Sequence, residues 1–221
     1  MSLPLLTIES LQHEAGAFAR AESARSEKSL FSVNDGKTIG TWLEARFRAW
    51  LDARYLAQGG NAALGIDLPS LNVDIKSTSV RQPQSSCPFH SARQKVFGLG
   101  YSLLVFVYEK TDDTRRKTAR LEIQHVIFID AAATGDFTMS RRLREMVRDG
   151  ANREDIVGFL RDRHLPVDDI EAARIADEVI AKPPAQGALT ISNALQWRLQ
   201  YGHALELMGE APGVLRVGGT R

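Results

Sequence analysis

The sequence predicts an α/β fold, a central mixed sheet flanked by helices and followed by a helical C-terminal part. Three observations carry that expectation. Residues 99–108, Leu-Gly-Tyr-Ser-Leu-Leu-Val-Phe-Val-Tyr, form a continuous apolar run rich in β-branched and aromatic side chains, as a strand covered on both faces does. Upstream, Ile39, Leu43, Phe47, Trp50 and Leu51 recur at spacings of three and four, the mark of an apolar helix face. Beyond residue 140 helical periodicity takes over from strand signals.

Taken in order, residues 8–22 read as an Ala-rich amphipathic helix, and residues 37–58 as the helix carrying the apolar face just described. Asn72 to Lys76 reads as a strand, entered through a Pro69-Ser70 turn. Residues 81–89, with their prolines and serines, read as a loop. The run at 99–108 is the buried strand, 109–116 a charged turn, and 120–130 a further strand carrying Leu121, Ile123, Val126, Ile127 and Ile129. Together the strands make a mixed sheet with the 37–58 helix against it. Residues 140–149, 153–163, 167–181 and 189–208 all read as helices, with starts near Asn152 and Asp168 and breaks at Pro166 and Pro183-Pro184. The pair joined at Arg163-His-Leu-Pro-Val has a helix-turn-helix outline, although most helix pairs of this size are packing units. Gln196, Arg198 and Gln200 form a polar series that suits DNA, a dimer surface or plain solvent. From Ala211 onward, Gly213, Gly218 and Gly219 suggest a loosely ordered tail.

Composition narrows the class without choosing a function. A chain of 221 residues buries a substantial core in one domain, or in one domain with a small annex. No run reaches the roughly 18 apolar residues of a membrane span, and the first residues lack the pattern of a secretory signal. The single cysteine, Cys87, excludes an internal disulfide and fits a reducing cytoplasm. His90 is the nearest base to Cys87, but nothing orients it, and the five histidines show no zinc spacing. Net charge is only +1, yet no acidic residue occurs between Ser77 and Tyr108, while Arg81, His90, Arg93 and Lys95 all do. Positive potential in that stretch would draw in phosphates.

The chemistry concentrates in Asp67-Leu-Pro-Ser-Leu-Asn-Val-Asp74-Ile75-Lys76. On a strand, Val73 and Ile75 face the core, and Asn72, Asp74 and Lys76 share the opposite, exposed face. The turn at Pro69-Ser70 can return Asp67 to the side of Asp74, giving a carboxylate pair with an amine roughly 7 Å further along. Such a cluster suits Mg²⁺, a hard cation that takes oxygen ligands and keeps waters for a phosphate to replace. The lysine can stabilise a hydroxide attacking phosphorus, the layout of a metal-dependent phosphodiesterase. Asp-x-Lys alone also occurs as a solvated surface ion pair. Glu44 sits at the margin of its helix's buried face, where a carboxylate is costly unless it meets a cation or metal. Two partners stay open for it: Arg48 one turn on, or the carboxylate cluster itself.

Gly40-x3-Glu44 followed by Asp67-Leu-Pro-x3-Val-Asp74-Ile-Lys76 resembles the catalytic core of the PD-(D/E)xK nucleases. The Asp-x6-acid-x-Lys spacing is similar to that of the MutH-like nicking endonucleases of mismatch repair and of type II restriction endonucleases. The resemblance covers roughly residues 36–108. It departs in two places: the second acid is Asp74 where MutH has Glu, and the interval from Glu44 to Asp67 is longer. It implies a restriction-endonuclease-like nuclease core in residues 1–135, with 136–221 a helical region in the same domain or a small subdomain. It also implies a sequence-specific endonuclease acting on double-stranded DNA with Mg²⁺, Mn²⁺ as substitute, leaving 5′-phosphate and 3′-hydroxyl ends. Asp67, Asp74 and the Ile75 carbonyl would hold the metal, Lys76 would stabilise the attacking hydroxide, and Glu44 would complete the site or steer a second metal.

Further expectations follow from a restriction reading. Gln82, Gln84, Ser85 and Ser86 are side chains that read base edges, and Arg81, Arg93 and Lys95 would contact DNA beside them. MutH carries another lysine downstream of its core, which makes Lys95 the weaker of these candidates. A homodimer would match a palindromic site, and a cognate DNA methyltransferase would belong to the same system without direct contact. The alternatives are a MutH-like strand-nicking repair endonuclease and a non-catalytic DNA-binding module.

Overall fold

The computed structural model describes residues 3–56, 65–87, 90–192 and 197–221. Its first helix, α1 (Ile8–Ser23), starts at a reciprocal capping box between Thr7 and Ser10. The second, α2 (Gly36–Asp52), is capped by Asp35, whose carboxylate accepts from the Lys37 and Thr38 amides. It buries Ile39, Leu43, Phe47 and Leu51, the face the spacing predicts. It ends at Asp52, earlier than expected, because Leu56 turns to donate to the Pro4 carbonyl. Residues 57 and 58 of the expected helix lie outside the described residues.

Strands β1 (Val73–Ser79), β2 (Gln84–Cys87), β3 (Ser102–Asp113) and β4 (Thr118–Ile129) follow, with the short helix α3 (Arg93–Phe97) between β2 and β3. Helices α4 (Phe137–Arg148), α5 (Arg153–Asp162) and α6 (Asp169–Ala181) come next. The chain then returns to strand as β5 (Thr190–Ile191) and β6 (Trp197–Gln200), followed by α7 (Gly202–Leu207) and β7 (Val214–Gly218). The main sheet has the order β1-β3-β4-β7, parallel between β1 and β3 and antiparallel elsewhere. A second, three-stranded sheet has the order β2-β6-β5. The α/β class with a mixed central sheet is as the sequence predicts.

Strand alternation sorts the core. Leu104, Phe106 and Tyr108 of β3 face α1 and α2, where Phe18, Phe47 and Phe106 meet with ring centroids 5.0 to 5.7 Å apart. Leu103, Val105 and Val107 face the second sheet, against Cys87, Trp197, Leu199 and Tyr201. A third cluster, built on Val96, Leu143, Ile156, Leu160, Ile175 and Val179, joins α3 to α4, α5 and α6.

Four local expectations are corrected. The charged turn shrinks to residues 114–117, because the pairing of Asp113 with Thr118 extends both flanking strands. Of the 81–89 loop, Gln84–Cys87 is strand, paired residue by residue with Trp197–Gln200; residues 88 and 89 lie outside the described residues. The expected 189–208 helix is largely a β hairpin plus the short α7. Trp197, Leu199 and Tyr201 bury while Arg198 and Gln200 are exposed, a period of two; Gln196 of the polar series lies outside the described residues. The tail is ordered as β7 on the far edge of the main sheet. Its glycines permit close approach: a Cβ on Gly218 would lie 2.6 Å from the Gly16 Cα, and Gly219 holds φ at 123°.

Candidate active site

Among the described residues β1 is an edge strand of the main sheet, with β3 on one side of its backbone and no strand of that sheet on the other. A tight turn brings Asp67 to that side. Leu68 and Val73 exchange N–H···O bonds of 2.9 and 3.2 Å across the turn. Asn72 takes a positive φ of 54° within it, and its side chain donates to the Gly100 carbonyl at 2.8 Å. Asp67 then accepts the Ile75 N–H through Oδ2 at 2.9 Å. The N–H and C=O of one strand residue leave on the same side, so the Ile75 carbonyl faces the free edge too.

Asp74 and Lys76 project from the other face, where Lys76 Nζ lies 2.6 Å from Asp74 Oδ2. The expected solvent-exposed face is corrected here: Asp74 is only 4% exposed. The second sheet lies over it, with Cys87 Sγ 3.4 Å from the Tyr101 hydroxyl and Ser85 Oγ 2.5 Å from the Tyr201 hydroxyl. Burial, joined by the nearby Asp74 charge, pushes all three of Cys87, Tyr101 and Tyr201 up. A buried, raised thiol is no nucleophile, which removes Cys87 from the chemistry.

Glu44 arrives from α2, which crosses β1 with Gly40 opposite Ser77. The Ser77 hydroxyl donates to Glu44 Oε1 at 3.4 Å. Burial first, then the Asp67 charge, pushes the Glu44 carboxyl up to about 7, against the pull of Lys76. Asp74 is raised to about 6, again by burial first, with Lys76 opposing and Asp67 adding to the rise. Burial works to lower the Lys76 ammonium, but Asp74, Asp67 and Glu44 outweigh it and hold the group up. Of the two partners left open for Glu44, the structure favours the cluster, since Arg48 lies instead on Asp67 Oδ1.

The four expected residues therefore share one electrostatic neighbourhood, and the donor set is that of a hard cation. Asp67 and Asp74 offer only oxygen; burial is the main reason that the Glu44 and Asp74 carboxyls are raised, and the Asp67 charge adds to both, a penalty that a cation would relieve. Among the described residues no group of three or more His, Cys, Asp or Glu side chains is placed to hold a metal ion. Mg²⁺ does not need such a group, because it binds through one or two carboxylates and completes its shell with water.

The residues expected to touch DNA divide. Gln82 and Ser86 are exposed, Gln84 is half-buried, and Ser85 is engaged with Tyr201. Arg81 is open to solvent, with Glu109 at 3.7 Å. Arg93 stacks over Phe97 at 4.6 Å and makes a two-pronged ion pair with Glu178. Lys95 is buried, its ammonium lowered by desolvation, so the phosphate contact expected of it is closed off in this conformation. Sequence reasoning named Arg48 only as a possible partner of Glu44. It did not find Ser77, Tyr101 or Tyr201; for Tyr201 the signal was its alternation with Trp197 and Leu199, and for Ser77 its place two residues beyond Ile75 on the same strand.

Compared with known proteins, residues 5–216 match the family model described as type II restriction enzyme NspV. A curated relative, the type II restriction enzyme NspV of Nostoc sp., is 54% identical over 215 residues, covering 97% of this chain and 98% of its own. No solved structure matches.

Proposed function

The chain belongs to the family of the type II restriction enzyme NspV, and from that premise we propose that Glu44, Asp67, Asp74 and Lys76 are the residues with which it cleaves duplex DNA. As a member it is a site-specific deoxyribonuclease. The observation that carries the site assignment is that Asp67 folds back onto Ile75 of β1, between Asp74 and the Lys76 with which Asp74 pairs, while α2 brings Glu44 to Ser77 of the same strand.

Mg²⁺, with Mn²⁺ as substitute, is the cation we assign to Asp67, Asp74 and the Ile75 carbonyl, with Glu44 completing the set; bound there it would neutralise charge on the scissile phosphate. Lys76, held protonated by the carboxylates around it, serves as a fixed positive charge rather than a base. It stabilises the attacking hydroxide and the charge that grows on phosphorus. Water supplies both parts: its hydroxide bonds to phosphorus as the bond to the 3′ oxygen breaks, and solvent takes up the released proton and returns one to that oxygen, leaving 5′-phosphate and 3′-hydroxyl ends. Gln82, Gln84 and Ser86 would read bases and Arg81 would meet phosphate, a reading supported by the exposure of Gln82, Ser86 and Arg81. Two copies related by a two-fold axis would cut both strands of a palindrome. A methyltransferase of the same specificity would protect host DNA, and the single buried cysteine suits a cytoplasmic setting.

Plasmid digestion with Mg²⁺, separation of nicked from linear product and sequencing of the ends test this reading. Asp74 and Lys76 form a largely buried pair, and alanine at either would leave the other without its hydrogen-bond partner; Asp74→Asn and Lys76→Gln keep that hydrogen bond and are the better variants. The wild type should give linear DNA with uniform ends, and each variant should lose at least about 100-fold in rate. Wild-type cleavage by Asp74→Asn, or undiminished cleavage in excess EDTA, removes the assignment. Nicked circles alone would point to strand nicking.

A further inference from the structure

Arg48 enters the site one helical turn beyond Glu44, and its guanidinium lies on Asp67 Oδ1. The other oxygen of Asp67 holds the Ile75 N–H at 2.9 Å. Each oxygen of that carboxylate therefore already accepts one N–H, one of them from a cation. Asp74 is tied through Oδ2 to Lys76. A divalent ion approaching this pair meets cations already in place. The two cations are not equivalent. The Arg48 side chain is 48% exposed and rises from a helix beside an open groove lined by Leu51, Asp52, Tyr55 and Pro69, whereas Lys76 is 21% exposed beneath the second sheet. A half-exposed ion pair breaks at small cost, and its guanidinium is suited to a phosphate.

We propose that Arg48 is a placeholder cation: it neutralises Asp67 in the DNA-free protein, keeps divalent-ion affinity low there, and leaves Asp67 when a DNA phosphate and the ion arrive together. The inference rests on the reading of Asp67 as a metal ligand. Arg48 acts through Asp67, so it is a positioning residue. Its consequence is reciprocal coupling: whatever draws Arg48 away frees Asp67 for the ion, so DNA and ion each strengthen the binding of the other.

The test is Mn²⁺ binding to the full-length, DNA-free protein, followed by electron paramagnetic resonance, for the wild type, Arg48→Gln, Asp67→Asn and Lys37→Gln. Lys37 stands exposed at the start of α2 and controls for the loss of one positive charge on the same helix. Arg48→Gln should bind Mn²⁺ roughly three- to fivefold more tightly, the worth of the half-exposed pair it removes. Asp67→Asn should bind more weakly, and Lys37→Gln like the wild type. A merely structural arginine would not tighten binding when removed. Should Arg48→Gln lose its thermal transition, Arg48→Met keeps the aliphatic stem in the groove and carries the same expectation. Unchanged or weaker binding by the arginine variants, with Asp67→Asn weakened, overturns the placeholder and leaves the metal site standing. Equal tightening by Lys37→Gln would reduce the effect to general charge and overturn it as well. Unchanged binding by Asp67→Asn would overturn the metal reading itself, and the placeholder with it.

Discussion

Glu44 occupies the crowded corner of the site. Its folded pKa of about 7 lies above the ordinary carboxyl value of 4.5, chiefly because it is buried and faces Asp67. In the metal-free protein the ionised group therefore costs stability above pH 7. That cost is relieved as the pH falls from about 7 toward 4.5, where the folded protein takes up the proton first. Glu44→Gln removes the charge and keeps the shape. It should raise metal-free stability at pH 8 by about 1 kcal/mol, with the gain shrinking toward pH 6, and it should abolish cleavage. Thermal melts at the two pH values in EDTA decide it: no gain at pH 8, or a gain that grows on acidification, would be against it. The site was legible because Asp67, Asp74 and Lys76 fall within ten residues and one turn. What covers Asp74 was not legible, because strand alternation sets the direction of a side chain and not what packs over it. The partner of Glu44 stayed open for a related reason. Arg48 stands one turn on, and only the 67–73 turn brings up Asp67, which takes that arginine instead.

At the scale of elements, Asp136 ties two segments that sequence periodicity treats as unrelated. Its Oδ1 caps α4 by accepting the Met139 N–H at 2.9 Å, and its Oδ2 accepts the Ile191 N–H of β5, also at 2.9 Å. The carboxylate is 6% exposed. Asp168 does the first job alone for α6, accepting the Glu171 N–H at 2.8 Å in an exposed setting. Asp136→Ala leaves two buried donors unpaired and should cost roughly 2–4 kcal/mol, against about 1 kcal/mol for Asp168→Ala. Urea melts of the two variants measure the difference, and equal losses would deny Asp136 its second role. The helices with capping residues and apolar faces were readable, since both signals are local. The β5–β6 hairpin and β2 were not. Gln84-Ser-Ser-Cys87 carries no apolar alternation, and its extended state comes from pairing with β6 more than a hundred residues on.

At the scale of the molecule, residues 136–221 return into the part that precedes them. β7 pairs with β4 and lies against α1, where Gly16 and Gly218 let two backbones touch. β6 pairs with β2, and its Trp197 and Leu199 cover Val105, Val107, Ile127 and Ile129 on the main sheet. A core confined to residues 1–135 would leave that face bare and the β4 edge unpaired, an apolar surface no small domain keeps in water. We therefore propose that the two portions fold as one unit, with α4 to α6 as an annex held by their own cluster. Full-length protein should unfold in a single transition whose calorimetric and van't Hoff enthalpies agree, and a fragment of residues 1–135 should show no cooperative melt. Two resolved transitions, one of them retained by the fragment, would instead establish a separable nuclease core.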